Sequence, residues 1–144
     1  MDLMFQPLRK YAVFSGRARR REFWLFWLFL IGIEIVFSIL IGLAGGSITD
    51  PTNRFGAMSG PAQALFALYG LVMLGLLIPS VAVAIRRLHD TNRSAWWILI
   101  ALLPILGALV LIVFYLLDGT PGPNRFGEDP KGRSAAATAG TPTL

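Results

Sequence analysis

Three long apolar stretches, residues 23–44, 61–85 and 95–117, fill most of the chain, with short polar connections between them. Each is close to the roughly 20 residues that a helix needs to cross the hydrocarbon of a bilayer. The first holds one ionisable residue, Glu34. On insertion scales about twenty apolar residues at roughly −0.3 to −0.6 kcal/mol each outweigh one central charge costing about 2.5–3.5 kcal/mol, so Glu34 does not prevent insertion. A cleaved signal peptide fits poorly, because the run exceeds the usual apolar length of about 7–15 residues and more apolar sequence follows. The second run opens at Pro61, a residue suited to the first helical position, and contains Pro79, where a kink is expected. The third contains Pro104, which frees the carbonyl of Ile100, and is expected to be one kinked span. The alternative is a re-entrant hairpin turning at Leu103-Pro104-Ile105-Leu106-Gly107, whose arms are each too short to cross.

The predicted fold class is an all-α membrane protein with about three transmembrane helices preceded by a short interfacial amphipathic helix. That first helix is expected where Leu8, Tyr11, Ala12 and Ser15 share one face, with Ser15-Gly16 breaking it. The organisation is thus a basic N-terminal segment over residues 1–21, a transmembrane region over 22–117, and a turn-rich segment with a disordered tail over 118–144. The tail from Ser134 onward is rich in Ala, Thr, Gly and Pro.

Charge orients this arrangement. Arg9, Lys10, Arg17, Arg19, Arg20 and Arg21 precede the first run, whereas Arg54 alone stands between the first and second. The excess of basic residues predicts a cytoplasmic N-terminus, and Arg86, Arg87 and Arg93 between runs two and three agree. Three crossings then carry the C-terminus outside, which its own Arg125, Lys131 and Arg133 oppose. Trp24, Trp27, Trp96 and Trp97 fall near the predicted cytoplasmic headgroup level. A hydrophobic fraction of 55%, a charged fraction of 15% and a net charge of +5 point to anionic lipid as the partner and away from nucleic acid. The chain has no cysteine and one histidine, which excludes disulfides, thiolate chemistry and a zinc site built on several imidazoles.

Two constellations are candidates for function. Arg86-Arg87-Leu88-His89-Asp90, followed by Arg93, gathers cations, an imidazole and a carboxylate where a helix meets water, suited to a phosphate headgroup or a proton relay; the bland reading is dipole complementation and capping. The run Arg17, Arg19, Arg20, Arg21 is expected to attract anionic lipid by about 1 kcal/mol per residue. Glu34 is a candidate intramembrane polar site, with Tyr69 as a conceivable partner. Asn124-Arg125-Phe126-Gly127 echoes Asn53-Arg54-Phe55-Gly56, although Asn-x-x-Gly is also ordinary turn chemistry. No catalytic residue, metal site or cofactor is predicted.

Three segments carry a family resemblance: Phe14-Ser15-Gly16-Arg17-Ala18-Arg19-Arg20-Arg21-Glu22-Phe23-Trp24, Arg86-Arg87-Leu88-His89-Asp90-Thr91-Asn92-Arg93-Ser94-Ala95-Trp96-Trp97, and Gly119-Thr120-Pro121-Gly122-Pro123-Asn124-Arg125-Phe126-Gly127-Glu128-Asp129-Pro130. In order and spacing they resemble the bacterial inner-membrane family called domain of unknown function 805, over roughly residues 5–131. The resemblance implies a small multi-span membrane protein and brings no catalytic residues with it. The expected function is a non-enzymatic protein that self-associates or binds another membrane protein, with cytoplasmic arginines on anionic lipid. The alternatives are an oligomeric transporter or channel component using Glu34 and Arg86 to Asp90, and a lipid-headgroup enzyme.

Overall fold

The computed structural model describes residues 2–48 and 58–133. Its elements are all helical: α1 (Asp2–Arg9), α2 (Arg20–Leu43), α3 (Gly60–Asp90), a 3₁₀ helix (Ala95–Leu102) and α4 (Leu106–Leu116). With 24 and 31 residues, α2 and α3 are about 36 and 46 Å long, enough to cross roughly 30 Å of hydrocarbon. Only 11% of the most apolar window of α2 and 17% of that of α3 is buried, so neither is the core helix of a water-soluble fold. The chain is an integral membrane protein. The echo motif at Asn53 to Gly56 and the tail from Ser134 lie outside the described residues.

Two compact units make up the chain, Met1–Phe26 with Pro79–Leu144, and Trp27–Ile78. In the unit Trp27–Ile78 the buried residues Ile41, Met58 and Ala62 pack with Phe37, Leu65 and Tyr69. A Cβ on Gly46 would stand 2.8 Å from Ile41 and 2.9 Å from Ala62, so a side chain there would wedge this cluster apart. Glu34 is exposed on α2.

The other unit departs from expectation in two places. α1 ends at Arg9, and Tyr11, Val13 and Phe14 are exposed beyond it, so the interfacial helix lies earlier than the face through Tyr11 and Ser15 implied. Gly16, with φ +83°, lies in the bend well after the helix has ended and so is not what stops it. The third apolar run is not one kinked span: it folds back as a hairpin of the 3₁₀ helix and α4, each about 16 Å long. The fold-back is a γ-turn at Ile105 (φ 63°, ψ −62°), where Leu106 N–H donates to the Pro104 carbonyl at 2.7 Å. Pro104 cannot continue the ladder, and the freed Ile100 carbonyl accepts Leu103 N–H at 2.9 Å. Gly107 packs against Ile100, where a Cβ would strike the backbone carbonyl, so the two arms touch along bare backbone. Arms of this length reach about half the bilayer depth.

α3 remains one helix through Pro79 and ends in a Schellman motif: Arg93 N–H bonds the Leu88 carbonyl at 2.9 Å and Asn92 N–H bonds the His89 carbonyl at 3.0 Å. Asn92 takes the left-handed conformation this requires, with φ 57°. Ser94 then caps the 3₁₀ helix, its hydroxyl accepting from Trp96 N–H at 3.5 Å.

Candidate functional site

The unit that contains both ends of the described chain is built around arginines and carboxylates. Arg86, Arg87, Asp90, Glu22 and Arg17 are all buried. Burying unpaired charges in apolar surroundings is prohibitively costly, so their partners define the site. Asp90 is the bridge: its Oδ1 accepts Arg17 Nε at 2.9 Å and its Oδ2 accepts Arg87 Nη1 at 2.6 Å. Glu22, in the first turn of α2, takes Arg86 Nη1 at 2.8 Å on Oε1.

The remaining donors of Arg17 and Arg87 go largely to backbone carbonyls, whereas Nε and Nη2 of Arg86 have no partner. Arg17 donates to Thr120 at 2.6 Å and Gly122 at 2.7 Å. Arg87 donates to Tyr115 at 3.2 Å and also to Leu117, and Arg20 donates to Leu117 at 2.9 Å. These last bonds satisfy carbonyls that the end of α4 leaves without helical partners. The segment after α4 therefore lies directly on the end of α3: Thr120 N–H bonds the Asp90 carbonyl at 2.9 Å, and Gly119 sits so close that a Cβ would fall on the Asp90 carboxylate.

The turn Asn124 to Gly127 closes over this arrangement through paired backbone bonds of 3.0 Å. Asn124 donates from its amide to the His89 carbonyl at 3.0 Å, and Phe126 stacks on the His89 ring with centroids 3.9 Å apart. His89 Nδ1 lies 3.2 Å from the Gly16 carbonyl. Arg125 donates to the Asn92 carbonyl at 3.1 Å, and Arg93 lies over the Phe114 ring at 4.0 Å. Further along, Asp129 accepts Arg133 Nε at 2.8 Å, Lys131 N–H at 2.9 Å and Gly122 N–H at 3.3 Å. Burial alone would raise the Asp129 carboxyl, but these donors and the Arg133 charge outweigh it and hold it down at about 2. The hydrogen bond from the Lys131 ammonium lowers Asp118 in the same sense, with the Lys131, Arg20 and Gly119 contributions adding to it.

Arg17, Arg86, Arg87, His89 and Asp90 were candidates for contact with lipid or a partner; all are buried, because the chain after α4 returns onto them. The described C-terminal segment packs against the N-terminal one, Arg17 donating directly to the Thr120 and Gly122 carbonyls. Arg19 and Arg21 stay exposed and form no ion pair among the described residues, and with Arg20 and Lys131 they line an open cleft. Glu34 belongs to the other unit and is not part of this network.

Sequence reasoning missed Glu22, Asp118, Asp129, Lys131 and Arg133 as members of the site. Their signal was present: Glu22 closes the basic run, and Asp129 stands in the glycine- and proline-rich segment. Chemically the arrangement is a clamp. Both Asp90 oxygens are bound to arginine, and among the described residues no three His, Asp or Glu side chains stand close enough to hold a metal ion.

The three segments that carry the family resemblance are the ones this network joins. Over residues 11–128 the chain matches the family described as protein of unknown function (DUF805). It is 42% identical to inner membrane protein YhaH of Escherichia coli strain K12 across 131 residues, covering 91% of this chain and 98% of that protein. Inner membrane protein YhaI of the same strain is 41% identical across 131 residues, covering 91% and 97%. The uncharacterized protein YiiR of that strain is 33% identical across 143 residues, covering 81% and 84%. No solved structure matches the chain. With the family match spanning most of the sequence and these relatives aligned nearly end to end, the chain belongs to the DUF805 family of membrane proteins.

Proposed function

We propose that this is a non-enzymatic protein of the bacterial inner membrane whose cytoplasmic end binds anionic lipid headgroups through Arg19, Arg20, Arg21 and Lys131, and which associates with a second copy of itself along α2. One observation carries the lipid reading: the buried arginines are consumed by internal partners, while Arg19 and Arg21 remain exposed beside Arg20 and Lys131 at the start of α2. Cytoplasmic sidedness is supported by the basic residues of the N-terminal segment, the α3 end and the C-terminal segment, which pack against one another. The names of the relatives YhaH and YhaI support the inner membrane.

Each cation near an anionic surface adds about 1 kcal/mol of attraction. Replacing Arg19 and Arg21 together by Gln removes about 2 kcal/mol, so the preference for phosphatidylglycerol over phosphatidylcholine, read by lipid exchange in nanodiscs, is expected to fall about 30-fold. An unchanged preference refutes the lipid reading.

Self-association is supported by Glu34, a mid-span carboxyl exposed on α2 with no hydrogen bond among the described residues. Intramembrane polar groups ordinarily face protein, and a second copy would cover this one. Energy transfer between labelled copies in liposomes tests it: Glu34→Leu is expected to lower the associated fraction, and undiminished transfer counts against α2 as the interface.

A further inference from the structure

The cleft lined by Arg19, Arg20, Arg21 and Lys131 has a volume of about 400 Å³, within the ~300–1,000 Å³ of ordinary small-ligand sites. One carboxylate, Asp118, answers these four cations: Arg20 Nε stands 3.8 Å from its Oδ1, and the Lys131 ammonium donates to the same oxygen. Arg133 also reaches Asp118, at 3.4 Å, but is matched by its own pairing with Asp129. Three positive charges of the lining are therefore left over, and a headgroup with a single phosphodiester would neutralise one of them.

The cations fall into two groups. Arg20 and Lys131 are anchored: Arg20 Nε donates to the Leu117 carbonyl at 2.9 Å, and both side chains meet Asp118 Oδ1, which holds them side by side. Arg20 Nη1 and Nη2 make no hydrogen bond among the described residues, so this outer edge is free to grip two oxygens of one phosphate. Arg19 and Arg21 are exposed and unanchored. Successive residues of a helix project about 100° apart, so Arg19 and Arg21 stand on opposite flanks of Arg20 and do not converge on the phosphate that Arg20 would hold.

Resting on the lipid reading above, we propose that this cleft selects a lipid whose headgroup carries two linked phosphates, of the cardiolipin type. One phosphate sits between Arg20 and Lys131, and the other on Arg19 or Arg21. A dianion matches the surplus charge better than a monoanion, and the linker between its phosphates matches the divergence of the arginines. Lipid is favoured over a soluble diphosphate because the apolar run opens at Phe23 and Trp24, directly after Arg21 and Glu22, which suits a cleft at headgroup level.

The test uses the full-length protein in phosphatidylcholine nanodiscs containing either phosphatidylglycerol or cardiolipin, one cardiolipin replacing two phosphatidylglycerols so that the surface charge is equal. Joining two phosphates in one molecule gives the second a high effective concentration, so lipid exchange is expected to show cardiolipin preferred at least ~10-fold over charge-matched phosphatidylglycerol. Arg20→Lys keeps the charge but lacks the planar fork, and the double variant Arg19→Gln, Arg21→Gln removes the second phosphate's partners; each is expected to bring that ratio to near unity. If Arg20→Lys does not fold, the double variant, whose side chains are exposed, decides. A ratio of one in the parent, with phosphatidylglycerol still preferred over phosphatidylcholine, overturns the two-phosphate proposal and leaves the lipid reading standing, whereas no preference for either lipid removes both. Inorganic pyrophosphate offers the same pair of phosphates in water, and its saturable binding together with a cardiolipin ratio of one assigns the cleft to a soluble ligand and overturns the proposal. A cardiolipin preference undiminished in the double variant puts the lipid elsewhere on the protein and overturns it too.

Discussion

Replacing Asp90 by Asn leaves the volume of the side chain almost unchanged and removes the one negative charge shared by two buried guanidinium groups. Asp90 Oδ1 meets Arg17 at 2.9 Å and Oδ2 meets Arg87 at 2.6 Å, all three side chains being at most 1% exposed. Asn retains one acceptor, and its amide turns a donor toward a second donor. Removing one partner of a buried ion pair costs about 3–5 kcal/mol, chiefly because the surviving charge stays buried. For a chain of this size 1 kcal/mol corresponds to about 2–4 °C, so the melting temperature in detergent, followed by tryptophan fluorescence, should fall by about 6–20 °C. The backbone bond from Thr120 to the Asp90 carbonyl survives the change, so the loss isolates the carboxylate. Adding Arg17→Gln should recover part of it, since one of the stranded cations is then gone. A single variant melting within about 2 °C of the parent would refute the view that this carboxylate holds the C-terminal segment to α3.

Other outcomes follow from the same geometry. Asp129, held at about 2 against an ordinary 3.8, stabilises the C-terminal segment fully above pH 3.8 and loses that contribution as pH falls toward 2; protease resistance of residues 118–133 should therefore be flat from pH 7 to about 4 and then drop, and Asp129→Asn should abolish the drop. Because the chain has no cysteine, single-cysteine labelling is clean: Tyr11→Cys and Pro123→Cys should react with an impermeant maleimide from the same side, and Leu106→Cys at the hairpin tip from neither. Labelling of Pro123→Cys from the opposite side would restore the single-span topology. Ile105 has φ 63° and is 76% exposed, so Ile105→Gly relieves backbone strain of about 1–3 kcal/mol at little cost in packing, offset by about 0.5–1 kcal/mol of glycine entropy. A rise of about 2–4 °C in melting temperature is expected, and a fall would mean that the turn is not strained.

Some of the site was readable residue by residue. Arg86 to Asp90 stood out because charges at the end of an apolar run are visible locally, and the resemblance segments named Arg17, Asp90 and Asn124 without saying that they meet. Glu22 and Asp129 stood in marked positions but were passed over, because a carboxylate beside arginines reads as surface until the path of the chain is known. Pro104 was compatible with a kink or a turn.

Run length, hydropathy and the distribution of arginine determined by themselves that the chain lives in a membrane and that its N-terminal segment is the basic one, since these are additive properties of consecutive residues. Only the tertiary structure decided that residues 95–117 turn back at Ile105 and that Arg17 meets Gly122 across 105 positions of sequence. The physical reason is that such pairings depend on where the chain returns. Here the return is set by bare backbone contact at Gly107 and Gly119 and by arginines that must find buried partners, none of which has a signature in any short window.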